Sequence, residues 1–415
     1  MPPLAYYFST FPAWSETFAR SQVRATGDLG LSFLLVANRR PLPRDLLADD
    51  LPLVDRTHYL TPVRPWAYLK ANGRLIANSQ GRYSQAWHEA WRLGCHSFGQ
   101  LATNLGHLAG AAYLKNILET HRVRHVHVHY AFGAAAVALF LERLSAIPYS
   151  LSIHGSDVLL ANPLLEAKLG RARFVVSNCR YHIRHLRRRF PSLQRQRFYV
   201  VRGGVDLASP LWDWQRPESP SAPLRLLHAG RLAPVKGQDI LLRACAHLTE
   251  RGAAWECRIV GEGPERPHLE FLIKTLGLEG RVSLLGARPL EDVARLYDWA
   301  QVVVLSSKSE GTPMTVIEAM AKARPVVAPR LSALPEMVLE GRTGWLFRPG
   351  DALDLARKIE RFSQNPQLIQ DMGKAGRERA EDLFNLIPNA KTFVNVLAQE
   401  VPALGRRPET TVPYV

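Results

Sequence analysis

The sequence predicts an α/β protein of two doubly wound domains, and three observations carry that prediction. The chain has 415 residues, which at roughly 150 residues per domain, more for large α/β units, favours two domains over one. From residue 224 onward, short β-rich runs alternate with amphipathic helical stretches, the pattern of a parallel sheet covered by helices on both faces. Between the halves lies LASPLWDWQRPESPSAP, 207–223, rich in Pro and Ser and without periodicity, which reads as an interdomain linker.

The elements follow in order. The N-terminal domain, 1–206, has strand candidates at Leu4–Phe8, Ser32–Ala37, Val123–His129, Tyr149–Ile153, Phe174–Ser177 and Phe198–Val201. The C-terminal domain, 224–388, is more regular. Its strands are expected at Leu224–His228, Glu256–Val260, Arg281–Leu285, Gln301–Ser306, Pro325–Ala328 and Trp345–Phe347, with helices near 237–250, 264–276, 289–299, 313–323 and 351–362. Two Rossmann-like domains then face each other, and the loops after the strands' carboxyl ends are where chemistry belongs.

Composition narrows the class. With 47% hydrophobic and 22% charged residues the chain can build sizeable cores. The longest near-continuous apolar run, 132–141, is about half of what a bilayer-crossing helix needs. The opening MPPLAYYFSTFPAW lacks a basic region and a small-residue cleavage site, so a cytoplasmic protein is expected. Four scattered cysteines suggest neither zinc nor disulfides. The net charge of +16 is uneven, because residues 1–206 hold 26 basic and 12 acidic side chains whereas 207–415 hold 27 and 25. Residues 171–202 contain ten arginines and no acid, among them Arg184, Arg187, Arg188 and Arg189. Anionic lipid, a diphosphate-linked acceptor and nucleic acid all present the clustered phosphate such a patch would bind, a solvated helix face being the plain alternative. Nucleic acid is disfavoured because no reader motif or stacking platform accompanies the patch.

The most informative stretch is QVVVLSSKSEGTPMTVIEAMAKARPVVAP, 301–329, which reads strand, loop, helix, strand. Thr312 is a natural N-cap and Pro313 a natural first helical residue, leaving the amides of Met314 and Thr315 free for an anion or a sugar hydroxyl. Glu310 precedes this point and Glu318 follows eight residues later, up to roughly 12 Å away along a helix, which suits gripping two ends of one extended ligand. The distance is too long for the carboxylate pair of a retaining hydrolase. HAGRLAPVKG, 228–237, places Arg231 and Lys236 on the loop after the domain's first strand, where two cations would neutralise a diphosphate leaving group. VGEGPE, 260–265, has Arg266 where a dinucleotide fingerprint needs a third glycine. In the first half, SIHGSD puts His154 and Asp157 after the strand Tyr149–Ile153. HVHVHY, 125–130, presents His125, His127 and His129 on one strand face, a zinc-like spacing that no other clustered ligand supports.

Together, SEGTPMTVIEAMA, GRLAPVKG, VGEGP, HGSD and the opening STFPAWSETF resemble family 4 glycosyltransferases, and among them bacterial exopolysaccharide enzymes of the colanic acid type, over nearly the whole chain. The resemblance implies a GT-B architecture with its active site in the cleft between two Rossmann-like domains. It also implies retaining, metal-independent transfer of a hexose from a nucleotide sugar, with no cofactor. In that scheme Glu310 contacts the sugar and Glu318 the ribose, Arg231 and Lys236 bind diphosphate, Met314 and Thr315 offer amides, and His154 meets the sugar. Ser15, Glu16 and Thr17 fall near the acceptor or diphosphate, with His129 and Asp157 as further acceptor-side candidates. A helix near 389–399 crosses back to the N-terminal domain. The expected partners are a nucleotide sugar, a lipid-linked or polysaccharide acceptor and an anionic inner-membrane surface. A degenerate sugar-nucleotide-binding or scaffold protein is the alternative.

Overall fold

A computed structural model of the chain describes residues 3–13, 17–43, 46, 50–62, 65–214, 223–406 and 408–415. They form two compact units, Met1–Val201 with Ala390–Val415, and Arg202–Asn389.

The first unit is built on seven parallel strands: β1 Leu4–Thr10, β2 Phe33–Arg39, β3 Thr57–Tyr59, β4 His125–His129, β5 Tyr149–Ile153, β6 Val175–Ser177 and β7 Phe198–Val200, in the order β3-β2-β1-β4-β5-β6-β7. Alternation along each strand sends side chains to two cores. Tyr7, Val126, Val128 and Leu151 face helices 98–120, 133–145, 165–171 and 180–189. Tyr6, Phe8, Phe174 and Tyr199 face helix 17–28 and the last long helix, Leu386–Glu400, through Phe393, Val396 and Leu397. β3 escapes the sequence reading because it has only three residues and its middle one, His58, is exposed.

The second unit has six parallel strands: β8 Leu224–Ala229, β9 Trp255–Val260, β10 Val282–Leu284, β11 Val302–Val304, β12 Val326–Pro329 and β13 Gly344–Phe347, in the order β10-β9-β8-β11-β12-β13. The five expected helices are at Gln238–Glu250, Arg266–Thr275, Leu290–Trp299, Met314–Ala321 and Ala352–Gln364, and a further one spans Gln367–Leu383. The segment 202–214, which the sequence reading divides between the first domain and a linker, packs within this unit. Val205, Leu207 and Trp212 are buried beside Leu227, Val303 and Ile317, so apolar content outweighs the Pro and Ser that mark a linker.

Candidate active site

In the second unit the chain leaves β8 toward one edge of the sheet and β11 toward the other, so their loops flank the switch in strand order. Those loops carry Arg231 and Lys236, and Glu310, respectively. They are drawn together by Gly237, whose φ of 61° is left-handed and where a Cβ would lie 2.2 Å from the Ser306 carbonyl oxygen. Lys236 Nζ then reaches Glu310 Oε1 at 2.7 Å, and the Ser307 hydroxyl donates to the same oxygen at 2.6 Å. Glu310 is buried. A buried carboxylate is stable only when paired and hydrogen-bonded, and here both partners come from the loops that hold it.

The helix beyond Glu310 begins one residue later than expected. Pro313 is the N-cap and Met314 the first helical residue, while the Thr312 hydroxyl is buried without a hydrogen-bond partner among the described residues. The amides of Met314 and Thr315 lie in the first turn, where no preceding carbonyl is in reach, and the Val316 amide makes the first bond back, to Pro313 at 3.2 Å. The Thr315 hydroxyl donates to the Ala229 carbonyl at 3.1 Å and so ties this terminus to the end of β8. Glu318 does not join the Lys236 and Glu310 cluster. Its Oε2 accepts a 2.8 Å hydrogen bond from Tyr297, and burial raises its carboxyl above the ordinary range.

Arg231 is exposed and its guanidinium makes no hydrogen bond or ion pair among the described residues, but its backbone is pinned. Gln238 Nε2 donates to the Arg231 carbonyl at 2.9 Å and lies 3.3 Å from His228 Nε2, while His228 Nδ1 lies 3.0 Å from the Val304 carbonyl. A carbonyl can only accept, so the Nδ1 of His228 carries the proton. Burial lowers this imidazole to about 4. VGEGP, at the end of β9, packs against the loop that carries Arg231. A Cβ at Gly261 would sit 2.0 Å from the Gly230 carbonyl oxygen. Ser307 sits three residues from Glu310 in the same loop and Gln238 ten from His228, whereas Tyr297 and His228 carry no signal in the local sequence, since their partners Glu318 and Val304 are 21 and 76 residues away.

In the first unit, the loop after β5 turns on Asp157. Its Oδ1 accepts from the amides of His154 (3.0 Å) and Gly155 (2.9 Å), and its Oδ2 from that of Ala131 (2.9 Å). The carboxylate is fully buried and burial raises it above its usual range, so Asp157 shapes the turn that presents His154 and is not an acceptor ligand as it stands. Lys168, also buried, donates to Asn162 at 2.6 Å, and Asn162 in turn donates to the Asp157 carbonyl at 2.7 Å. Burial brings this lysine down to about 7.

His154 is half-buried against Phe18 and Tyr130, and its Nε2 lies 3.3 Å from His129 Nδ1. His129 is itself buried, which removes it as an acceptor contact and makes it a support for His154. The strand face His125, His127, His129 forms as expected, but hydroxyls of β5 meet it. Ser150 Oγ is 2.8 Å from both His125 Nε2 and His127 Nδ1, and Ser152 Oγ is 2.8 Å from His127 Nε2. Among the described residues no group of three His, Cys, Asp or Glu is arranged to hold a metal ion. Ser15 and Glu16 lie outside the described residues, and Thr17 opens helix 17–28.

The arginine-rich stretch is less free than its local sequence suggests. Arg171 pairs with Glu89 and Glu142, Arg197 with Glu400, and Arg173 donates to the Glu400 carbonyl. Arg187 donates to Val415 and lies over the Phe198 ring. Arg184, Arg188 and Arg189 remain exposed on helix 180–189. No helix among the described residues is long and apolar enough to cross a membrane.

Known proteins share the sequence regions and the fold. Residues 213–379 match the family Glycosyl transferases group 1, and residues 74–209 match Glycosyltransferase Family 4. WcaL of Escherichia coli, a glycosyltransferase assigned to colanic acid biosynthesis, is 27% identical over 92% of this chain and 96% of its own. AmsK of Erwinia amylovora, an amylovoran biosynthesis glycosyltransferase, is 28% identical over the same shares. Among solved structures, sucrose-phosphate synthase from Thermosynechococcus elongatus superposes with a TM-score of 0.74 at 21% identity, covering 96% of this chain and 99% of that one. Anabaena Alr3699/HepE, solved with UDP, gives 0.69 at 18% identity, covering 96% and 100%. With two parallel α/β units and both family regions in place, the chain belongs to the family 4 glycosyltransferases of GT-B fold.

Proposed function

We propose that the chain is a retaining transferase that moves a hexose from a nucleotide sugar to a lipid-linked or polysaccharide acceptor in exopolysaccharide synthesis, without a metal ion. The observation that carries the donor reading is the Lys236, Glu310 and Ser307 cluster beside the N-terminus of helix 314–321. Lys236, Arg231 and the Met314 and Thr315 amides would supply positive potential to a diphosphate, stabilising the charge that grows on it as the glycosidic bond breaks. Glu310 would accept hydrogen bonds from sugar hydroxyls. Glu318, with one oxygen held by Tyr297, would offer the other to the ribose. In the first unit, the Asp157 turn would hold His154 ready for the sugar. Retention of configuration and the class of acceptor rest on the family and on relatives named for colanic acid and amylovoran synthesis.

Thermal unfolding with UDP, GDP, ADP and their sugars tests the donor reading. A ligand at about 100 times its Kd adds about 2.7 kcal/mol, which raises the melting temperature by several degrees. One base should stand out. No response to any of them would overturn the proposal.

A further inference from the structure

Two helices of the first unit, Pro65–Asn78 and Gln80–Gly94, carry a surface that the donor chemistry does not use. Both pack on helix 98–120 and on each other, burying Ala71 and Leu75 from one and Ala86 and Ala90 from the other. The faces turned outward are rich in large apolar side chains. Trp66 (81% exposed), Leu69 and Ile76 of the first and Trp87 and Trp91 of the second are exposed, and Phe98, which opens helix 98–120 just after them, is 87% exposed. The spacing 66, 69, 76 keeps three of these on one stripe opposite Leu75. Trp87 and Trp91, one turn apart, stack with centroids 5.7 Å apart. Among them stand Lys70, Arg74, Arg82 and Arg92, all exposed and none in an ion pair among the described residues. The only acid between residues 65 and 98, Glu89, is buried and held by Arg143 and Arg171, so this stretch exposes no carboxylate.

We propose that this aromatic and basic helical face docks the protein on an anionic lipid bilayer. Tryptophan favours the headgroup boundary, with its ring in the apolar layer and its N–H in the wet one. Lysine and arginine add attraction to anionic headgroups while their stems lie along the apolar surface. A symmetric second copy fits less well, because a two-fold contact sets the same four cations against each other. The inference rests on the proposed lipid-linked acceptor for its purpose, since docking would bring the enzyme to a membrane-borne substrate. Its geometry stands apart from that reading.

The test is co-sedimentation of the full chain with phosphatidylcholine vesicles made with and without phosphatidylglycerol. The protein should partition onto the anionic vesicles and its tryptophan emission should shift to the blue. Trp66→Ser with Phe98→Ser, and separately Lys70→Glu with Arg74→Glu, should each reduce partitioning by about tenfold or more. Both should leave melting temperature and nucleotide-sugar binding unchanged, so that a failure of docking is distinguishable from a failure of the donor reading. Three results overturn the proposal: no partitioning of the wild-type chain, unchanged partitioning of both variants, or a dimer in sedimentation velocity that Trp66→Ser dissolves. Loss of binding only on neutralising Arg187, Arg188 and Arg189 overturns it too, since docking would then lie on helix 180–189.

Discussion

Acidification from about pH 7 to about pH 5.5 should weaken the first unit far more than the second, because the first buries a larger set of neutral imidazoles. Burial brings His125 and His129 down to about 3 and His182 to about 4, against 6.5 for the free side chain. Below pH 6.5 the unfolded chain therefore binds a proton at each of these sites that the folded chain refuses, and stability falls with pH until the folded value is reached. Each site contributes about 1.4 kcal/mol per pH unit, so the three give about 4 kcal/mol per unit against a typical total of about 5–15 kcal/mol. His127 and His154, also lowered, act in the same direction. Asp157 opposes them only once the pH reaches its raised value, where the folded state keeps a proton the unfolded state releases. Lys168, near 7 in the fold, has imposed its penalty by neutral pH and adds no slope below it. The second unit has His228, near 4, which alone gives about 1.4 kcal/mol per pH unit. Urea unfolding followed by pulsed hydrogen exchange, read from peptides of helices 133–145 and 238–250, separates the two units. His182, whose ring nitrogens have no hydrogen-bond partner among the described residues, supplies the control. His182→Leu should raise stability at pH 7 by about 1 kcal/mol and flatten the acid slope by about 1.4 kcal/mol per unit. A first-unit slope no steeper than that of the second would show that the buried imidazoles do not set the acid stability of the first unit.

Other substitutions probe the two sites. Tyr297→Phe removes the hydroxyl that holds Glu318, and should weaken nucleotide-sugar binding by about tenfold while costing about 1–2 kcal/mol of second-unit stability, measured by calorimetry and urea unfolding. Gly261→Ala drives a Cβ toward the Gly230 carbonyl oxygen and must displace the loop bearing Arg231, so donor affinity should fall with the melting temperature. Asp157→Asn replaces a carboxylate that takes three amide bonds with a single acceptor oxygen. It should cost about 2–3 kcal/mol and slow transfer at an unchanged donor Kd.

Features legible in the sequence are those with a local signal. Val302–Val304 and Leu224–Ala229 are apolar runs of strand length bounded by polar loops, so the second sheet and the loops carrying Arg231, Lys236 and Glu310 can be read from the residues themselves. Features hidden from it depend on partners distant in the chain. The acid-free run 171–202 has the look of an open polyanion patch, yet Glu89, Glu142 and Glu400 neutralise part of it across up to 203 residues. The histidine face of β4 is legible from its period of two, but the pairing of His127 with Ser150 belongs to the sheet register and has no sequence signature. Thr312 has the chemistry of a cap, and the backbone begins the helix past it.

Glu310, held by Lys236 and Ser307, is proposed to act on the sugar of a bound nucleotide donor. Single-turnover transfer from the nucleotide sugar that stabilises the protein, onto membrane-extracted acceptor lipids, decides this role when wild type and Glu310→Gln are run side by side. The substitution keeps the side chain's shape and one carbonyl acceptor for Ser307. Glu310→Gln should bind the donor within about tenfold of wild type and transfer at least about a hundredfold more slowly. Transfer at the wild-type rate by Glu310→Gln would contradict that role.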